Sequence, residues 1–151
     1  MGNICRSPMA EGVLRTQVAA AGLAEAFEFD SAGTLAAHAG EAPDVRAQQV
    51  AIQRGYDLSR LRARRVALDD FCRFDWVLAM DRDNLAVLER MCPEQYRQKL
   101  KLFMTFARKH DEDEVPDPYY GAVLGFERVL DMCEDAARGI LMELVGTGER
   151  A

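Results

Sequence analysis

Apolar residues recur along this chain in two ways, as stripes at helical spacing and as short continuous runs. Met9, Val13, Leu14 and Val18 share one helical face, which predicts a first helix over Pro8 to Gly22 with Gly22 as its C-cap. Ala24 to Asp30 reads as a strand around Phe27 and Phe29, followed by the loop Ser31-Ala32-Gly33-Thr34. Leu35 to Asp44 is irregular, and Asp44 is placed to cap a second helix through about Arg54, ended by Gly55, with Val45, Val50 and Ile52 as a weak stripe. Trp76 to Met80 is a continuous apolar run between aspartates, which predicts a buried parallel strand. Asp81 then caps a third helix to about Met91 through Leu85 and Leu88. Lys99 to Phe103 alternates charged and apolar residues and reads as an edge strand. Val115 to Gly121 is a loop held extended by Pro116 and Pro118. Ala122 to Val145 carries the longest stripe, from Val123 and Phe126 to Ile140 and Leu144, and predicts one long helix with a frayed tail after Gly146. Strands alternating with helices predict a single α/β domain over residues 1–151, with a parallel sheet.

Composition narrows the possibilities. An apolar content of 49% and a charged content of 29% are ordinary for a globular domain, and the net charge of −6 argues against a nucleic-acid partner. Four scattered cysteines without a C-x-x-C pair, with only two histidines, assemble no zinc spacing and suit a reducing cytoplasm. No run approaches a membrane span, no signal peptide opens the chain, and Arg6 occupies the Ser/Thr position a myristoylation signal needs. Arg60, Arg62, Arg64 and Arg65 are either a basic patch for an acidic partner or a solvated loop or helix start; the acidic total favours the latter. Neither G-x-x-x-x-G-K-[S/T] nor G-x-G-x-x-G occurs, so nucleotide binding has no support.

The chemistry concentrates at the start. Gly2 and Asn3 tolerate a tight, left-handed backbone, Arg6 offers a planar fork for phosphate oxygens, Ser7 can cap a helix, and Pro8 suits its first position. Such a turn feeding a helix directs backbone N–H groups at one spot and makes an anion site. Taken singly, Asn3 is a turn residue, Ser7 a cap, and Asp117 a turn aspartate before proline.

Together they resemble something more specific. Gly2 to Pro8 looks like the phosphate loop C-x-G-N-I-C-R-S-P of the low molecular weight protein-tyrosine phosphatases, and Asp117 to Tyr120 matches that family's D-P-Y-Y. Ser31 to Thr34, the Pro-Asp-x-Arg of Pro43 to Arg46, Arg62-Ala63-Arg64, Phe74-Asp75 and Met80-Asp81 with Asn84-Leu85 support the match over nearly the whole chain.

The resemblance implies a three-layer α/β fold with a four-stranded parallel sheet, and hydrolysis of phosphotyrosine or aryl phosphates through a phosphocysteine, without metal or cofactor. Gly2, Asn3, Ile4, Cys5, Arg6 and Ser7 would form the phosphate loop, with Arg6 as clamp, Asn3 as brace, and Ser7 as the serine that activates the thiolate. Asp117 would be the acid, and Cys5 the loop's second, redox-protective cysteine. Inorganic phosphate or another oxyanion would bind at the same place, in a cytoplasmic protein needing neither nucleic acid nor membrane. Tyr119 and Ala37 would border the phenyl slot, Ala37 where relatives usually carry an aromatic wall. Leu61 stands where a histidine often braces the loop.

The family's nucleophilic cysteine would fall one residue before Met1, which itself takes the variable position. Six residues after Cys5, Cys72, Cys92 and Cys133 stand Glu11, Leu78, Gln98 and Gly139, none an arginine, so no internal cysteine completes the motif. The family's apolar first strand, central in the sheet, is likewise absent. The expectation is a chain that is inactive and unstable as given, or whose natural start lies upstream. A phosphate-binding protein without turnover is the alternative, and an arsenate reductase using Cys72 and Cys92 a more distant one.

Overall fold

The computed structural model describes the backbone of residues 2–150 and the side chains of residues 2–146. Met1, which the sequence places at the variable loop position, lies outside the described residues. Helix α1 spans Arg6–Ala20, α2 Val45–Gln53, α3 Leu68–Arg73, α4 Arg82–Met91 and α5 Val123–Arg150. Strands β1 (Val77–Ala79) and β2 (Leu100–Leu102) pair in parallel, with Val77 opposite Leu100 and Ala79 opposite Leu102. Short 3-10 segments over Glu94–Lys99 and Phe103–Phe106 flank β2.

Polar residues fix the element ends where the pattern placed them. Gly22 and Gly55 leave α1 and α2 at φ 75° and 90°, conformations that favour glycine. The Asp44 carboxylate accepts from Arg46 N at 2.8 Å, and that of Asp81 from Asn84 N at 2.7 Å, so both cap their helices. Helix α3 was not foreseen; the Asp70 carboxylate reaches back to Ala67 N at 2.8 Å and closes its first turn. The last helix continues through Arg150 rather than fraying after Gly146.

The sheet separates two apolar layers. Leu78 and Met80 face a large cluster built from Met9 and Val13 of α1, Val50 of α2, and Phe126, Leu130 and Ile140 of α5. Val77 and Ala79, pointing the other way by the strand's twofold period, pack with Phe71 of α3 and Leu88 of α4. Each large side chain so buried stabilises the fold by roughly 1.5–3 kcal/mol. In α2 the inward face is Ala47, Val50 and Ala51, whereas Val45 and Ile52 are exposed, so of the expected stripe only Val50 faces the core. Gly139 permits a close approach: a Cβ there would lie 1.8 Å from the Phe106 carbonyl oxygen.

In the sheet, β1 and β2 pair among the described residues, and Ala24 to Asp30, expected as a strand, forms none. Only an isolated parallel bridge, Gly33 with Arg65, marks that side. A strand needs a neighbour for its backbone donors and acceptors. Here Phe27–Phe29 and the free edge of β1 both line a cavity of about 910 Å³, and no described segment runs between them.

Candidate functional site

The cavity ends at the turn that precedes α1. Asn3 has φ 62°, the one non-glycine residue in the left-handed region among the described residues. Its buried side chain ties the loop to two other segments. Nδ2 donates to Ser7 Oγ at 2.8 Å and to Ser31 Oγ at 2.9 Å, and Oδ1 accepts from Arg64 N at 3.0 Å. Ser31 Oγ in turn donates to Glu11 Oε1 at 2.7 Å, and Glu11 is held by Arg15 Nε at 2.8 Å. Ser7 is therefore an acceptor for Asn3 rather than the helix cap the sequence suggested. The helix begins at Arg6 with Cys5 at its N-cap and no side-chain cap bond, which puts Pro8 at the third helical position, where its missing N–H is still harmless.

This geometry makes a cradle. The backbone N–H groups of Ile4, Cys5, Arg6 and Ser7 have no acceptor among the described residues, although Ile4, Cys5 and Arg6 are buried. Buried donors without partners are costly, and several at one helix N-terminus favour an anion. The Ile4 carbonyl is engaged, accepting from Asp44 N at 2.8 Å.

Arg6 is buried beneath the loop. Its Nη1 donates to Asp81 Oδ2 at 2.6 Å and to the Val115 carbonyl at 2.8 Å. Burial pushes the Asp81 carboxyl up, but Arg6 and the Asn84 N–H outweigh it and hold it below its usual range. Asp81 thus caps α4 and orients Arg6 together; the sequence showed only the first task.

Asp117 and Tyr119 stand at the mouth, both lining the cavity with the loop. Asp117 is exposed, and its Oδ1 accepts from Tyr119 N at 3.0 Å. Tyr119 meets Tyr120 edge-on at 4.9 Å and His38 at 6.1 Å between ring centroids. Ala37 also lines the cavity but is exposed and offers only a methyl. The second ring at the mouth is His38, oriented by Glu41 at 2.6 Å and packed on Gly2, where a Cβ would lie 2.7 Å from its ring. Leu61 is half-buried against the core. Within the basic stretch Arg64 is engaged: it pairs with Asp70 at 2.9 Å and Asp30 at 3.2 Å, while its N–H braces Asn3. No cluster of three or more metal-binding side chains occurs among the described residues.

A family model for low molecular weight phosphotyrosine protein phosphatase matches residues 1–149. The chain belongs to that family. It is 43% identical over 145 residues to a putative low molecular weight protein-tyrosine-phosphatase of Synechocystis, covering 95% of this chain and 92% of the relative. Against a low molecular weight protein-tyrosine-phosphatase of Streptomyces coelicolor it is 44% identical, covering 93% and 87%. The crystal structure of an Entamoeba histolytica protein tyrosine phosphatase with Hepes in the active site superposes with a TM-score of 0.94 at 42% identity, covering 98% of this chain and 94% of that one. Low molecular weight phosphatase folds are thus α/β folds into which this chain's helices and parallel pair fit.

Three of the chain's four cysteines, Cys5, Cys92 and Cys133, are buried and held toward the protonated thiol. Burial pushes Cys5 up to about 12, the carboxylates of Asp44 and Asp117 add to it, and Arg46 opposes them. Cys133 is fully enclosed in the core and is likewise pushed up to about 12, chiefly by burial. Burial raises Cys92 as well. Cys72 is exposed, but it lies beside the Tyr96 hydroxyl at 3.6 Å and does not line the cavity. Neither Cys72 nor Cys92 lines the cavity with the loop. Motif reading gave Ser31 and Arg46 only as supporting matches, without a role, and missed Glu11 and His38. For Glu11 the available signal was a glutamate facing inward from α1, because a buried carboxylate needs a partner.

Proposed function

We propose that residues 1–151 form one cytoplasmic phosphatase-family domain whose Gly2–Ser7 loop takes the phosphate of phosphotyrosine, of a small aryl phosphate, or inorganic phosphate itself. The observation that supports this reading is the run of N–H groups from Ile4 to Ser7 that meet no acceptor among the described residues, braced by Asn3 and backed by Arg6. Those donors and one guanidinium suit the three non-bridging oxygens of a phosphate monoester. Asp117 at the mouth is placed to give a proton to the leaving aryl oxygen, and later to take one from water. Tyr119 and His38 offer an aromatic border for the phenyl ring. No metal, cofactor, nucleic acid or membrane enters this scheme; no described helix is long and apolar enough to cross a membrane.

In the family reaction a thiolate attacks phosphorus, the bond to the aryl oxygen breaks as the acid protonates it, and water then releases phosphate from the phosphocysteine. The chain would supply the cradle, the clamp and the acid, while Cys5, the one cysteine lining the cavity among the described residues, is pushed up to about 12, chiefly by burial. Binding without turnover is the expected behaviour of this chain, since losing a nucleophile costs on the order of 10⁶ in rate. Calorimetric titration with phenylphosphonate should show one site competed by inorganic phosphate, and p-nitrophenyl phosphate should release no phenol above the blank. Absence of saturable binding would refute the loop assignment, and rapid phenol release would refute binding without turnover.

A further inference from the structure

The Pro-Asp-x-Arg motif at Pro43–Arg46 has no part in the chemistry above, yet its arginine makes more contacts at the site than any catalytic candidate. Arg46 Nε donates to Asp44 Oδ1 at 3.0 Å and Nη2 to Asp44 Oδ2 at 2.9 Å, a two-pronged pair. The same guanidinium donates across the cleft to the carbonyls of Tyr119 at 2.9 Å and Gly121 at 3.3 Å. Its carbon stands 4.7 Å from the Phe126 ring centroid and 5.6 Å from that of Tyr119, so the group is held by ring faces as well as by hydrogen bonds. Asp44, for its part, donates its N–H to the Ile4 carbonyl in the phosphate loop at 2.8 Å.

These contacts form one continuous path. It runs from Ile4 in the loop to Asp44, through the carboxylate–guanidinium pair, and into the backbone of Tyr119 and Gly121. The segment at its far end, Asp117–Gly121, is otherwise thinly held. Asp117 and Tyr120 are exposed, Pro116 and Pro118 contribute no N–H, and its other hydrogen bonds within the described residues are the short-range Asp117–Tyr119 and Gly121–Pro118 contacts.

We infer that Arg46 is a positioning residue that ties the acid-bearing Asp117–Gly121 segment to the phosphate loop, setting where Asp117 and Tyr119 stand relative to a bound phosphate. Fork geometry and ring contact make the role specific to arginine; a lysine can satisfy one carbonyl but not the carboxylate fork as well. The inference deepens the phosphate-loop reading and rests on it for its ligand arm, while its exchange arm stands without a ligand.

The test compares the full 151-residue chain with Arg46→Lys and Arg46→Met by amide hydrogen exchange over residues 117–121, and by titration with phenylphosphonate and with inorganic phosphate. Arg46→Met should raise exchange at Tyr119 to Gly121 about tenfold, the scale of one charge-assisted hydrogen bond. Phenylphosphonate should bind several-fold more weakly, because Tyr119 is no longer fixed, whereas inorganic phosphate, which meets only the loop, should be held as before. Arg46→Lys should fall between and is the variant to read if Arg46→Met does not fold. Unchanged exchange in both variants, or an equal loss of both ligands, would overturn the inference. If the unmodified chain binds neither ligand, the phosphate-loop reading fails, and the exchange comparison alone then upholds or overturns the tether.

Discussion

Asn3 carries the loop, and its replacement separates two costs that the structure superposes. Asn3→Ala removes three hydrogen bonds, those to Ser7, Ser31 and Arg64. At about 1 kcal/mol each, that is roughly 3 kcal/mol. It also forces an alanine to hold φ near 62°, where asparagine is tolerated and alanine is not, adding about 1 kcal/mol. Asn3→Gly loses the same bonds without that backbone cost. The expected losses are therefore about 4 kcal/mol for alanine and about 3 kcal/mol for glycine, on a total stability of ~5–15 kcal/mol. For a chain of this length each kcal/mol moves the melting temperature by roughly 2–4 °C. Urea unfolding followed by circular dichroism at pH 7 reads both numbers, and phenylphosphonate titration reads the consequence for the site. Glycine should be the more stable variant, and both should bind more weakly than the parent. Losses below about 1 kcal/mol in both variants, or alanine matching or exceeding glycine, would refute the reasoning.

Three further outcomes follow from the packing. Asp135 is buried on α5; burial pushes its carboxyl up, but the backbone N–H groups of Arg108, Lys109 and His110 and the His110 ring prevail and hold it at about 2, against an ordinary 3.8. Its contribution, roughly 2 kcal/mol, is present above the unfolded value and lost as pH falls through the folded one; Asp135→Asn should thus be destabilised at pH 7 and nearly indistinguishable from the parent near pH 2 in urea melts. Gly139→Ala should cost about 3 kcal/mol or prevent folding, because its methyl would overlap the Phe106 carbonyl, and a melting temperature within a degree of the parent would contradict the packing of that turn on α5. Arg54 reaches Glu127, Asp131 and Glu134 at 2.7 Å each, so Arg54→Met should cost about 1 kcal/mol at low salt and less in 1 M sodium chloride. A loss independent of salt would show that packing, not charge, links α2 to α5.

How much of this was legible beforehand follows from what each feature depends on. Asp44, Asp81, Gly22 and Gly55 act within one turn of chain, so their capping and stopping roles could be read locally. The Trp76–Met80 run and the stripe of α5 were legible because burial on both sides, or along one face, imposes its own period. Phe27–Phe29 misled because a strand is a relation between two segments; its composition suited pairing, but the described chain places no partner beside it. The site divided in the same way. Arg6, Asn3 and Asp117 were named through motif spacing, and they line one cavity. Ser31 with Glu11, and Arg46 with Tyr119, act across 20 and 73 positions, and nothing in local sequence announces such contacts. Ser7 looked like a cap because Ser-Pro commonly is one; the turn enters the helix earlier and gives the hydroxyl to Asn3 instead.

The central claim is that the turn before α1 is an oxyanion cradle, and amide chemical-shift mapping tests it most directly. A ¹⁵N-labelled chain titrated with phenylphosphonate should show saturable shifts at Ile4, Cys5, Arg6 and Ser7, with smaller ones at Asp117 and Tyr119, all reversed by excess inorganic phosphate. Shifts confined to other surfaces, or none at millimolar ligand, would contradict the account.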